Sequence, residues 1–151
     1  MKQASDSKTF RLEIVSAERN LFSGDADLVV VPGVDGELGI FPNHTPLLTK
    51  IKPGTLKFHA KDESEETFLF VAGGFLEVQP TVVTVLADTV VRGEEIDQAR
   101  AEEARRIAEE AISRAPEDKI ALATAQAELS YAVAELRTLQ KYRLGVKHRL
   151  K

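Results

Sequence analysis

The sequence has no cysteine, which excludes disulfide scaffolding, thiolate nucleophiles and cysteine-ligated metals together. A chain kept in a reducing compartment tolerates that absence, so the cytoplasm is the expected location. Residues 1–10 hold no apolar stretch of the roughly 7 to 15 residues that form a secretory leader core, and no window approaches the roughly 20 needed for a membrane-spanning helix. Membrane association is therefore expected only through partners.

Catalytic signatures are missing as well. The three histidines, His44, His59 and His148, are not spaced as metal ligands. No nucleophile elbow, Walker loop or dinucleotide fingerprint occurs. The run Gly33–Gly39 is glycine-rich, but no Lys-Ser/Thr and no helix follow it, so it reads as turn chemistry. The carboxylate pairs Glu94/Glu95, Glu102/Glu103 and Glu109/Glu110 recur every seven or eight residues, which describes a solvated helix face rather than an acid/base dyad. No metal, no catalytic residue and no enzyme activity of the chain's own are expected.

What is present is enough apolar material for a core: 43% of the 151 residues are hydrophobic and 29% charged, the balance of one globular domain or of one domain with an appended element. Charge is unevenly placed. Residues 1–92 carry 9 Lys/Arg against 13 Asp/Glu, residues 93–118 carry 4 against 9, and residues 119–151 carry 7 against 2. From Arg137 to Lys151 there are six Lys/Arg and no acid, a block that seeks an acidic partner. Nucleic acid is not the expected one. The chain is acidic overall and offers only Tyr131 and Tyr142 beside these cations as stacking platforms.

Up to residue 92 the sequence alternates in short β-branched and aromatic runs broken by glycine, proline and Asn/Asp, the pattern of an all-β sandwich or barrel. Eight strands are expected: 9–15, 19–22, 27–31, 37–41, 55–60, 67–72, 75–78 and 82–86. Turns are expected at Pro32-Gly33, Pro53-Gly54, 62–65, Gly73-Gly74 and Pro80. Adjacent strands without room for crossover helices pair mostly antiparallel. From Glu94 to Ala115 no proline, glycine or aromatic residue intervenes. A helix is expected there with Glu94, Glu95 and Asp97 in its first turn, stopped by Pro116. A second helix is expected from about Asp118, its N-cap, to Leu144. Ala101, Ala104, Ala108 and Ala111 on the first face Leu122, Ala125, Leu129, Ala132, Leu136 and Leu139 on the second. The result is an antiparallel two-helix hairpin with a weak alanine seam, since small side chains bury little area.

The stretches Val31-Pro32-Gly33, Gly36-Glu37-Leu38-Gly39-Ile40, Pro42-Asn43-His44-Thr45-Pro46-Leu47-Leu48, Ile51-Lys52-Pro53-Gly54, Gly73–Val78 and Val83–Thr89 together resemble the epsilon subunit of bacterial rotary (F-type) ATP synthases. The resemblance spans nearly the whole chain. It implies an N-terminal β-sandwich of roughly ten strands, assigned to residues 1–92 and docked on the gamma subunit and the rotor ring of subunit c. It also implies a regulatory hairpin, residues 93–151, that restrains ATP hydrolysis by the catalytic alpha/beta subunits. The implied function is that of a non-catalytic central-stalk subunit of a proton-translocating complex, peripheral on the cytoplasmic face of the bacterial plasma membrane. A free nucleotide-sensing or acidic-protein-binding module is the alternative.

By the same resemblance Glu37 and His44 match ring-facing positions, while Arg137, Lys141, Arg143, Lys147 and Arg149 are placed to meet the catalytic subunits when the hairpin opens. Read from the residues alone, Glu37 is a solvated turn residue, His44 caps its own loop, and the tail is solvated on a closed hairpin. Some family members bind ATP through an Ile-Asp-x-x-Arg-Ala motif, matched here by Ile96 to Ala101, with Asp97 and Arg100 as binding residues and Arg137 as a helix-two contributor. Val91 and Val133 replace an acid and an arginine of those binders. Each lost charge-assisted contact removes about 1.5–3 kcal/mol, so only weak ATP binding and no resident cofactor are implied. Asp97 and Arg100 also read simply as a first-turn acid and an exposed i,i+3 pair.

Overall fold

In strand β1 (Phe10–Val15) Phe10, Leu12 and Ile14 are buried while Arg11 faces solvent, the two-residue alternation of a half-buried strand. The same logic builds β2 (Asn20–Gly33), β3 (Gly36–Ile40), β4 (Leu47–Lys50), β5 (Gly54–Ala60), β6 (Thr67–Val78) and β7 (Val82–Arg92). These strands belong to a computed structural model that describes residues 8–149, with side chains through Lys147. The strand order is β1-β7-β6-β5-β2-β3, with β4 on β6 and a further β1–β2 pairing that closes the sheet on itself. All pairs are antiparallel except β1 with β7. The closed sheet is flattened into a β-sandwich around a core that includes Leu12, Val29, Leu56, Leu69, Leu76 and Val85.

The strand boundaries differ from the sequence expectation for local reasons. The segments expected at 19–22 and 27–31 are one strand, because β2 runs on past Gly24. Its first half pairs β1 and its second half pairs β5 and β3. Gly73-Gly74 is not a turn. Both glycines take positive φ, 71° and 104°, and bend β6 while its register with β7 continues from Leu69 to Val78. β7 extends past Leu86 to Arg92 because β6 offers it a partner throughout. The turn placed at Pro32-Gly33 lies at Val34-Asp35, with Gly36 at φ 130° closing the hairpin. β4, between Pro46 and Pro53, has no counterpart among the expected strands, because four residues are too few to show a period. The described residues thus contain seven strands rather than eight or ten.

A single 3-10 turn, Gly93–Glu95, follows β7. The Glu95 carboxylate accepts from the Arg92 backbone N–H (3.3 Å) and from Arg19 Nη2 (3.0 Å), while Arg92 Nη2 donates to the Leu21 carbonyl (3.2 Å). The joint is thereby tied to the sandwich. The first helix therefore starts later than expected. α1 (Gln98–Ser113) is N-capped by Asp97, whose carboxylate accepts the Arg100 N–H at 3.1 Å. Glu94 and Glu95 lie outside its first turn. Ala115, at φ 48°, and Pro116 end the α1 side of the hairpin. α2 (Lys119–Arg149) is N-capped by Asp118, which accepts from Ile120 N at 2.9 Å. It continues five residues past Leu144 because Gly145 lets the helix lie against the Phe68 ring. In the hairpin seam Ala101, Ala108, Ala125, Ala132 and Leu139 are buried, whereas Ala104, expected in the seam, is exposed.

Candidate functional site

The hairpin does not stand free. α2 has a second inward-facing stripe at spacings of three and four, in which Ala134 and Thr138 are buried and Tyr131 and Tyr142 half-buried. It lies against Phe70, Ala72, Val91 and Ile96 of the sandwich and joint, forming an apolar cluster separate from the main core. Phe70 is fully buried there and meets Tyr131 edge-on, ring centroids 4.8 Å apart. Thr55 of β5 and Thr138 of α2 are joined by a buried hydroxyl–hydroxyl bond of 2.7 Å. Thr138 in turn donates to the Ala134 carbonyl at 3.0 Å, so Thr55 is the donor across the interface.

Glu135, adjacent to this stripe, is 3% exposed, yet its partner Arg100 on α1 is 66% exposed and donates from Nη2 at 3.3 Å. Burial pushes the Glu135 carboxyl above its ordinary range and nearby Asp97 adds to the rise, while Arg100 opposes it. Neither Glu135 nor the Thr55–Thr138 bond was anticipated. The signal was the second stripe on α2, hidden because the leucine and alanine stripe is longer and a buried Glu or Thr does not count toward an apolar period.

The structure scatters the anticipated binding residues over four places. Glu37 is exposed on β3 and lines a cleft of about 630 Å³ with Lys52, Val133, Arg137 and Lys141, between the sandwich turns and α2. His44 is half-buried in the loop before β4, and its Nδ1–H donates to the Thr45 carbonyl at 2.6 Å. Among the described residues, no hydrogen bond or ion pair joins it to Glu37. Asp97 caps α1, and Arg100 is taken by Glu135. Arg137, two residues beyond Glu135, points to a different side of α2, so Asp97, Arg100 and Arg137 are not gathered into one pocket. Arg143 and Lys147 border a groove with Glu102 and Arg105 of α1. Arg137, Lys141, Arg143 and Lys147 make no ion pair within 4.0 Å among the described residues; the Arg149 side chain lies outside them. Also among the described residues, no group of three or more His, Cys, Asp or Glu is arranged to hold a metal, and no helix is long and apolar enough to cross a membrane.

Two family descriptions tile the chain: the ATP synthase delta/epsilon chain β-sandwich domain over residues 9–93, and its long α-helix domain over 94–140. The chain belongs to the epsilon subunits of bacterial-type F-type ATP synthases. It is 54% identical over 135 residues to the ATP synthase epsilon chain of Herminiimonas arsenicoxydans, covering 89% of this chain and 96% of that one. The epsilon chain of Chromobacterium violaceum is 51% identical over 129 residues, with coverages of 85% and 91%. Among solved structures, a chain of the Euglena gracilis mitochondrial ATP synthase OSCP/F1/c-ring assembly superposes with a TM-score of 0.79 at 19% identity, covering 88% of this chain and 82% of that one. A chain from the Tetrahymena thermophila mitochondrial ATP synthase central stalk and c-ring gives 0.60 at 13% identity, with coverages of 88% and 97%. These two likenesses concern the fold. Within this epsilon-family fold, the sandwich and the hairpin meet at the Phe70 cluster and the Thr55–Thr138 bond, and the Arg100–Glu135 pair ties α1 to α2.

Proposed function

We propose that the chain is a non-catalytic central-stalk subunit that couples rotation between a membrane ring and the catalytic head, and that its hairpin, once undocked, restrains ATP hydrolysis. The observation that carries this reading is the character of the hairpin–sandwich contact. A few apolar side chains and one hydroxyl pair hold α2 down, separate from the main core, while Arg137, Lys141, Arg143 and Lys147 make no ion pair among the described residues. Such a contact suits a two-state element. The undocked helix carries Arg137, Lys141, Arg143, Lys147 and Arg149 toward acidic segments of the catalytic alpha/beta subunits, where opposite charge speeds capture.

Docking on gamma is supported by an apolar patch on the outer sandwich face. Phe75 and Leu86 are cross-strand partners 47% and 53% exposed, and Leu48, on β4 beside them, is 68% exposed. Glu37 and His44 are assigned to the subunit c ring, through which the chain is held peripherally at the cytoplasmic face of the plasma membrane.

Truncation after Leu136 tests the regulatory half. The sandwich should stay folded and bound to gamma, because the main core draws no residue from α2, and ATP hydrolysis by the assembled complex should rise. Replacing Arg137, Lys141 and Arg143 with alanine should give part of that rise, and the gain should shrink in high salt as the charged contact is screened. A truncated complex that hydrolyses ATP no faster at low salt would leave the hairpin a permanently closed structural element.

A further inference from the structure

We propose that Glu135 is the release element of the hairpin: packing α2 against α1 and the sandwich buries this carboxylate, so the closed state holds a proton on it more readily than the open state and is favoured as pH falls. The proposal rests on the opening of the hairpin proposed above.

The geometry is that of a carboxylate poorly provided for. Among the described residues its carboxylate accepts one hydrogen bond, from Arg100 at 3.3 Å, longer than the roughly 2.7–2.9 Å of a well-formed charge-assisted contact. The Arg100 guanidinium stays largely in water and spends much of its charge on solvent. The hydroxyl of Thr138, close on the same helix, already donates to the Ala134 carbonyl and accepts from Thr55. On its sandwich side α2 meets Phe70, Ala72, Val91 and Ile96, with Tyr131 and Tyr142 from α2 itself.

The charged groups around the site fall into a short set. From α1, Asp97 and Arg100 bear directly on Glu135, while Glu102 and Arg105 lie farther along, beside Arg143 and Lys147. From the sandwich, Glu37 and Lys52 line the cleft with Arg137 and Lys141 on another side of α2. At the joint, Glu95 is held by Arg19 and Arg92. Nothing in this set offers Glu135 a second cation.

The direction follows. In the docked state burial raises the carboxyl's pKa, Asp97 adds to the rise, and Arg100 offsets part of it. In the undocked state water restores the ordinary value. A group whose docked pKa is raised supports docking fully below its ordinary range and loses that support as pH climbs through the raised value. Once ionised, Glu135 therefore works against closure, which keeps the hairpin openable. Gln at this position keeps the shape and a hydrogen-bonding oxygen without the charge.

The absence of cysteine allows an unambiguous test. Asp62→Cys and Lys147→Cys, both exposed and on the two sides of the contact, take a fluorophore pair whose energy transfer separates docked from undocked molecules in the full chain. The wild-type closed-to-open ratio should be higher at about pH 5 than at about pH 8. Glu135→Gln should raise the ratio at the higher pH at least about fivefold and flatten its pH dependence. Arg100→Gln, which leaves the carboxylate alone, should lower the ratio at the higher pH and steepen the dependence. If Glu135→Gln keeps the wild-type ratio or the wild-type pH dependence while an open population is present, the assignment to Glu135 is overturned and hairpin opening stands. If no variant shows a separated population at either pH, both fall.

Discussion

Gly93 and Tyr142 meet across the joint between sandwich and hairpin: a Cβ on residue 93 would stand 2.7 Å from the Tyr142 Cβ and 3.0 Å from its Cγ. Both of those atoms sit at the root of the side chain, so a rotamer change relieves little of the clash. Gly93→Ala should weaken docking of α2 by about 1–3 kcal/mol, as overpacking does, without touching the main core. Tyr131 and Tyr142 are the only tyrosines and there is no tryptophan, so the near-ultraviolet tyrosine dichroism reports docking directly. A loss of that signal with unchanged far-ultraviolet strand content is expected. An unchanged signal would mean that the joint has slack which the close approach conceals.

A second pair ties the sandwich to pH. His59 on β5 and Asp27 on β2 stand 2.9 Å apart, Nδ1 to Oδ1, and the hydrogen bond to Asp27 raises the His59 pKa above its ordinary value. The imidazolium is therefore favoured by folding. Its stabilising contribution is complete below the ordinary histidine range and is lost as pH rises through the raised value. Because both groups are partly exposed, the contribution should stay below about 1 kcal/mol. Urea midpoints of wild type and Asp27→Asn should differ more at about pH 5.5 than at about pH 8.5. A difference that grows toward alkaline pH would contradict the pairing.

The sandwich was legible in the sequence where strands alternate over five or more residues, as in β1, and the two-helix pattern was legible in its caps. Asp118 and Pro116 stand where the hairpin turns, as their chemistry requires. β4 was not legible because four residues carry no period. The bend at Gly73-Gly74 reads as a turn because a glycine's sequence signal is the same for a turn and for a bent strand. At the site, the tail cations were visible as charge. The docking face of α2 was not, since Glu135 and Thr138 are buried by tertiary contacts that local pattern does not encode.

Nucleotide affinity follows from the same geometry. Arg100 is engaged by Glu135, Arg137 faces another side of α2, and Val91 belongs to the apolar cluster, so the residues a phosphate group would need do not converge. Calorimetric titration of the isolated chain with ATP should give binding no tighter than about the millimolar range, near −4 kcal/mol. Micromolar binding would require that Asp97, Arg100 and Arg137 be brought together in a different docking of the hairpin.

The most direct test of hairpin opening uses the hydroxyls of Thr55 and Thr138, 2.7 Å apart in the docked state. In a chain without other cysteines, Thr55→Cys with Thr138→Cys brings two thiols together only when α2 lies on the sandwich. Their oxidation, verified by mass, locks the hairpin closed, and reduction frees it. ATP hydrolysis by the assembled complex should be faster with the disulfide formed than with it reduced, approaching the rate seen after truncation at Leu136. An oxidised complex that hydrolyses ATP at the reduced rate, with the disulfide fully formed, would show that undocking of α2 is not what restrains hydrolysis.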